Sequence, residues 1–300
     1  MEYAPFKDLE PEHQIRVFAE GIAEDKLVET LHEFDILLVM RERTAFPANI
    51  IEKLSNLKLI VTTGRRNDVI DMDACKSAGI TVCGTDSPGY GTAELTFALI
   101  LAAAKGVITE HNHMRRGGWQ SSLGGNIKGR TLGVMGLGRI GGLVAGYAQA
   151  MDMNVIAWST NLTRERTKEC GVELVSKAEL MSHSDFMTIH LRLSDHTHHL
   201  VQTEDLANMK DGSWIVNTSR APIIDMQALL KELHTGRICA ALDVFETEPL
   251  AEDDELRTLP NVILSPHKGY CSVDTFRVFY QQTYENLLAW LENKPINLIK

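Results

Sequence analysis

Strand-length apolar runs alternate with helical patterns along most of this 300-residue chain, and no other feature limits its fold so strongly. Asp35–Met40, Leu57–Thr62 and Ile80–Cys83 are nearly unbroken apolar runs. Between them lie two helical stretches. One is led by Pro47 at a favoured first helical position, with Ile50, Ile51 and Leu54 on one face; the other is Asp71–Ala78. Buried runs separated by helices predict parallel strands covered on both faces. Ahead of them, Gln14–Ala19 alternates like a short strand, and Asp25–Phe34 carries helical spacing at Leu27, Val28 and Leu31. A second series follows a long helix predicted over Thr92–Arg115. Its strands are Thr131–Met135, Asn154–Trp158, Phe186–Leu191, Trp214–Asn217, Ile238–Asp243 and Val262–Leu264, with helical patterns such as Ala221–Leu233 between them. Phe276, Phe279, Tyr280, Leu287, Leu288 and Leu291 mark an amphipathic C-terminal helix. The expected class is α/β with two doubly wound parallel-sheet domains: residues 1–91, completed by the helix of 275–300, and residues 92–274.

Composition narrows the function. Hydrophobic residues at 44% and charged residues at 23% describe a globular chain with a sizeable core, not a collagen-like or disordered one. With 30 basic against 40 acidic residues the formal charge is -10, which disfavours nucleic acid and anionic membrane surfaces as partners. The longest apolar run, Leu95–Ala104, is too short for a membrane span of about 20 residues. Glu2, Lys7 and Asp8 stand where the apolar core of a secretory leader would begin. Cys75, Cys83, Cys170, Cys239 and Cys271 are scattered, odd in number and never spaced C-x-x-C, so neither structural zinc nor a disulfide framework is expected. A cytoplasmic enzyme is the expectation.

Thr131–Gly141 (TLGVMGLGRIG) places G-x-G-x-x-G directly after a predicted strand and before a helix rich in small residues. Gly136 allows the sharp turn, Gly138 the approach of backbone amides to a pyrophosphate, and Gly141 close packing of helix on sheet. With Arg139 and Ile140 these form a dinucleotide-binding candidate whose helix N-terminus faces the phosphates. In an NAD site the next strand ends in an acid. Here it ends in Ser159–Thr160–Asn161. A carboxylate there would repel a 2′-phosphate, so its absence leans slightly to NADP, with Arg164 as the positive partner. Ser159 or Asn161 holding an NAD ribose is the open alternative.

Further along stand Trp214–Arg220 (WIVNTSR), Ile224–Asp225, Ala240–Pro249 (AALDVFETEP) and Ser265–Gly269 (SPHKG). In this order the motifs resemble the D-isomer-specific 2-hydroxyacid dehydrogenase family, which includes glyoxylate/hydroxypyruvate reductases and phosphoglycerate dehydrogenases. The resemblance runs from about Asp35 to the C-terminus. It implies that Arg220 holds the substrate carboxylate and polarises its keto group, that His267 is the acid/base and that Glu248 is its partner. Thr218, Ser219, Asp243 and Gly269 would contact the cofactor, Asp243 beside the nicotinamide. The chemistry suits these types. Hydride reduction of a 2-keto acid needs a proton at the oxygen, and histidine titrates near neutrality. A guanidinium fork fits a carboxylate.

The resemblance also maps a substrate loop onto Thr63, Gly64 and Arg65, whose backbone amides would grip the carboxylate. Relatives commonly carry glycine at Arg66. Either Arg66 points away, or it adds a cation suited to a diacid or phosphorylated substrate. Relatives also begin with a strand and helix that Met1–His13 does not supply, so the first sheet is expected to lack an interior strand that another segment or a partner subunit would have to cover. His196, His198 and His199 lie in a polar loop without carboxylates or cysteines, and no metal site is read there. The function expected is hydride transfer between NAD(P)H and a small 2-keto acid, in a cleft between the domains of a homodimer. The alternative is a dinucleotide-sensing, corepressor-like binding protein on the same scaffold.

Overall fold

The computed structural model describes residues 3–299, and the chain divides into two compact units. One holds the chain up to Pro88 and again from Cys271 onward; the other is Gly89–Tyr270.

The first unit is built on a parallel sheet of β1 (Ile36–Val39), β2 (Leu59–Thr62) and β3 (Thr81–Gly84), in that order. Ile36 lies opposite Leu59, and Leu59 opposite Thr81. Every residue of the central strand is buried, which explains its unbroken apolar sequence. On one face Ile60 and Val82 pack with Leu31, Ile50, Ile51 and Cys75 of the short helices. On the other, Leu59, Val61 and Cys83 meet Leu287 of the terminal helix Val273–Leu291. The chain end closes the outer edge of β3, where Gly84 N–H donates to Asn297 O and Ile299 N–H to Val82 O, each at 2.9 Å.

Gln14–Ala19 is not a strand. Six alternating residues make a strand only beside a partner, and among the described residues β1 pairs with β2 alone. Val17 is left exposed, while Phe18 rests edge-on against Phe34 at 5.9 Å. The apolar surface expected to lack cover is met in part from within the unit: Phe6 packs edge-on against Tyr284 at 5.5 Å and joins the cluster beneath β2, with Ile15 at its margin.

The second unit carries a seven-stranded, all-parallel sheet. Its strands are β4 (Thr131–Met135), β5 (Asn154–Trp158), β6 (Glu173–Leu174), β7 (Phe186–Ile189), β8 (Trp214–Asn217), β9 (Cys239–Leu242) and β10 (Val262–Leu264). The order β10-β9-β8-β7-β4-β5-β6 reverses between β4 and β7. That reversal creates a crevice beyond the carboxyl ends of the strands, where such sheets bind ligands. Both units are parallel sheets with helices, the α/β class that the alternation predicts. Among the described residues only the second sheet has the reversal of order that makes it doubly wound.

Three local expectations need correction. The helix predicted over Thr92–Arg115 is two helices, Tyr90–Lys105 and Val107–Arg115, bent by 64°. Gly106 sits between them at φ 62°, ending the first helix in a left-handed cap. The pattern at Ala221–Leu233 is a 3-10 turn, Ala221–Ile223, followed by the helix Met226–Thr235. Asp225 starts that helix by accepting from Ala228 N–H at 3.1 Å. Pro47 lies one place before the helix Ala48–Ile51, not at its first position. The short edge strand β6 has no apolar run to announce it.

Candidate active site and cofactor pocket

The Gly-rich turn leaves β4 at the switch point. Gly136 has φ 100°, and a side chain there would lie 2.8 Å from His190 O. At Gly141 a side chain would collide with Gly136 O. Only glycine satisfies both positions. At Gly138, by contrast, nothing lies within 4 Å of where a side chain would project. Gly138 opens the helix Arg139–Ala150 without a side-chain cap, and a helix N-terminus beside an open glycine is an arrangement suited to an anion.

Beside this turn is a cavity of about 440 Å³, walled by Gly136, Gly138, Ser159, Asn161, Arg166, His190 and Arg192 among others. His190 follows β7, and its N–H donates to Met135 O at 2.8 Å. Its buried Nε2 has no hydrogen-bond partner, and burial pushes the imidazole down to about 4, so the ring is neutral at pH 7. An open glycine cradle and an orphaned ring nitrogen in one cavity fit the pyrophosphate and adenosine end of a dinucleotide. Ser159 and Asn161 line this cavity; Arg164 is exposed and does not. Arg166 takes its place. It donates through Nε to Leu137 O at 3.0 Å and pairs with Glu169 at 3.0 Å. Sequence reading missed Arg166, His190 and Arg192. The signal available was position, since His190–Arg192 directly follow a strand at the switch point.

The remaining candidates follow β8, β9 and β10, neighbouring strands with Asn217 opposite Leu242 and Leu242 opposite Leu264. Ladder bonds continue beyond the strands: Asp243 N–H donates to Asn217 O and Ser265 N–H to Leu242 O, both at 2.9 Å. Asp243 is fully buried. Its carboxylate accepts from Ser265 Oγ at 2.5 Å, Lys268 N–H at 2.8 Å and Gly269 N–H at 2.9 Å. Burial nonetheless outweighs these bonds and pushes its pKa up. Thr218 is tied to the helix Tyr90–Lys105 through a 2.7 Å hydroxyl contact with Thr96. Ser219 Oγ donates to Leu191 O. Both hydroxyls are therefore engaged within the protein.

After β10, His267 stands at φ 50°, and its Nδ1 lies 2.6 Å from Glu248 Oε2. A carboxylate only accepts, so Nδ1 carries the proton and Nε2 is left for another partner. Glu248 is itself oriented by Phe245 N–H, which donates to Oε1 at 3.0 Å. The His267 ring stands edge-on to Tyr270 at 5.8 Å. Arg220, three residues after β8, is half-buried and donates to Ser219 O at 2.8 Å; Asn217 Nδ2 pins its carbonyl at 3.0 Å. The strand ends thus bring an imidazole, its carboxylate and a guanidinium to one edge of the sheet.

In the first unit, Gly64 has φ 97°, and Arg41 occupies the space a side chain would need. The Gly64 N–H is spent on Thr85 Oγ1 at 2.8 Å. Among the described residues the amides of Arg65 and Arg66 donate to no protein acceptor. Thr63 is buried and accepts from Arg41 N–H at 3.0 Å. The Arg65 side chain turns to Asp86, and Arg66 is exposed. Of the proposed loop amides, Gly64 is therefore committed internally, and Arg65 stays available.

Residues 97–269 match the family described as D-isomer specific 2-hydroxyacid dehydrogenase, NAD binding domain. The chain is 40% identical over 268 residues to a D-3-phosphoglycerate dehydrogenase of Methanocaldococcus jannaschii, covering 88% of this chain and 51% of that protein. The chain thus spans about half the length of that relative. It is 35% identical over 284 residues to a glyoxylate reductase of Korarchaeum cryptofilum, covering 91% and 85%. The crystal structure of a phosphoglycerate oxidoreductase from Vibrio cholerae superposes with a TM-score of 0.90 at 34% identity, covering 96% of this chain and 94% of that one. With the glycine cradle, the buried Asp243 and the Glu248–His267 pair in place, the chain belongs to the D-isomer-specific 2-hydroxyacid dehydrogenases, oxidoreductases that work with a nicotinamide dinucleotide.

Proposed function

We propose that the protein reduces a small 2-keto acid, of the glyoxylate or hydroxypyruvate kind, to its D-2-hydroxy acid with NAD(P)H. The observation that carries this reading is the 2.6 Å contact of His267 Nδ1 with Glu248, on the sheet edge that also holds Arg220. A bound nicotinamide supplies the hydride. Arg220 grips the substrate carboxylate through its planar fork and draws charge from the keto oxygen. His267 gives that oxygen a proton from Nε2, and the carboxylate of Glu248 stabilises the imidazolium before the transfer and holds the ring in line. Asp243, with its oxygens committed to Ser265, Lys268 and Gly269, fixes the loop on which His267 stands.

The carboxylate-free cavity leans to NADPH over NADH. Val107, Ile108, Met114, Trp119 and Leu123 are exposed on the helix Val107–Arg115 and the segment after it. So much uncovered apolar surface favours a second copy of the chain as its partner. The five thiols are free, in keeping with work in the reducing cytoplasm. Steady-state kinetics with NADH and NADPH across glyoxylate, hydroxypyruvate, pyruvate and longer keto acids test the assignment. Turnover of at least one short keto acid is expected. Dinucleotide binding without any turnover would replace it with the sensing role.

A further inference from the structure

The cavity beside the Gly-rich turn has no acidic residue in its wall and two arginines, Arg166 and Arg192. The two are not equivalent. Arg166 is fastened to the turn, with Nε on Leu137 O at 3.0 Å, NH2 on Gly138 O at 3.4 Å and its charge paired with Glu169. Its donors shape the loop. The guanidinium of Arg192 forms no ion pair among the described residues, while the backbone that carries it is held on two sides. Thr197 Oγ1 donates to Arg192 O at 2.5 Å and accepts from Ser194 N–H at 2.8 Å, and Ser219 Oγ donates to Leu191 O. A positively charged fork is thereby set on a fixed backbone in the cavity wall that also holds Ser159 and Asn161.

We propose that this wall recognises a ribose 2′-phosphate and that Arg192, not Arg164, is the residue that reads it, with Ser159 and Asn161 as neutral donors. The inference rests on the reading of this cavity as the adenosine end of the dinucleotide site. A phosphate monoester carries about -1.5 to -2 charges at pH 7. The protein as a whole carries -10, so its long-range field repels such a group, and a local unpaired cation must supply the attraction. Burial keeps His190 neutral, and Glu169 offsets Arg166. Arg192 is left as the full charge, with a geometry that pairs two donors with two phosphate oxygens.

The test is direct binding by calorimetry of adenosine 2′,5′-bisphosphate and 5′-AMP, which differ only in the 2′-phosphate, and of NADPH and NADH. The proteins are wild type, Arg192→Gln, Arg192→Lys and Arg164→Gln, each checked for an unchanged thermal transition. Wild type is expected to favour the 2′-phosphorylated ligand of each pair by about tenfold or more, in a salt-sensitive way. Arg192→Gln removes most of that ratio and leaves 5′-AMP and NADH within about twofold. Arg192→Lys keeps part of it, and Arg164→Gln keeps all of it. Equal weakening of both members of each pair by Arg192→Gln would mean that the side chain stacks on adenine, and would overturn the proposal. So would loss of the ratio in Arg164→Gln, or wild type that binds NADH with no preference for NADPH. If none of the four nucleotides binds, the dinucleotide reading itself fails and takes this one with it.

Discussion

Glu248→Gln isolates what the carboxylate contributes to proton transfer. The substitution preserves size and the acceptor for Phe245 N–H while removing the negative charge 2.6 Å from His267 Nδ1. A unit charge pair at about 4 Å interacts by about 4 kcal/mol at an effective dielectric of about 20. The pair is not sealed, since the two side chains are 30% and 35% exposed. Solvent screening therefore cuts the figure by about half. The result, about 2 kcal/mol, falls within the range of about 1.5–3 kcal/mol for hydrogen bonds to charged groups. It is withdrawn from the protonated imidazole and not from the neutral ring, so the proton-bearing form becomes scarcer. That predicts a fall of up to about 30-fold in kcat for keto-acid reduction toward the alkaline end of the range. Glu248 is assigned to orient the imidazole and not to grip the substrate, so KM for the keto acid should stay within about twofold. Stopped-flow and steady-state kinetics across pH 6–9 measure both. Turnover within twofold of wild type throughout that range would refute the argument, as would a loss carried wholly by KM.

Gly141→Ala drives a methyl group into Gly136 O, so urea unfolding should show a loss of about 2 kcal/mol or more, with weakened dinucleotide binding; retention of both would mean the turn is not tightly packed. Glu110 accepts from Ser121 and Ser122, which holds its carboxyl down to about 2. Because the folded value is depressed, its stabilisation is complete above the ordinary value and is lost as pH falls through about 2. The Tm gap between wild type and Glu110→Ala should therefore be constant above about pH 5 and close toward pH 2; a gap independent of pH would contradict this. Ile108→Asp combined with Leu123→Lys should convert a dimer into a monomer in sedimentation velocity, and an unchanged sedimentation coefficient would remove this face from the interface.

The second sheet was legible because parallel strands buried on both faces read as continuous apolar runs. Thr131–Met135, Asn154–Trp158, Trp214–Asn217 and Val262–Leu264 coincide with observed strands. Where a segment depends on a neighbour, local pattern misleads. Gln14–Ala19 has strand periodicity but no ladder to join. The apolar stripe through Thr92–Arg115 continues across Gly106, whose left-handed backbone breaks the helix without interrupting hydrophobicity. The site divides in the same way. Gly136 and Gly141 were visible as a motif whose spacing reflects steric need, and the Glu248–His267 pair was implied by the family resemblance. Arg166 and Arg192 belong to no motif; they reach the cavity only because β5 and β7 flank β4 in the folded sheet.

His267→Ala offers the most direct test, with NADPH binding and single-turnover reduction of a short keto acid measured on the same preparation. The imidazole is assigned to the proton and not to the dinucleotide, so binding should stay within about twofold while the chemical step slows by a factor of about 10² to 10⁴. Unimpaired single-turnover reduction with normal binding would contradict that assignment and the mechanism built on it.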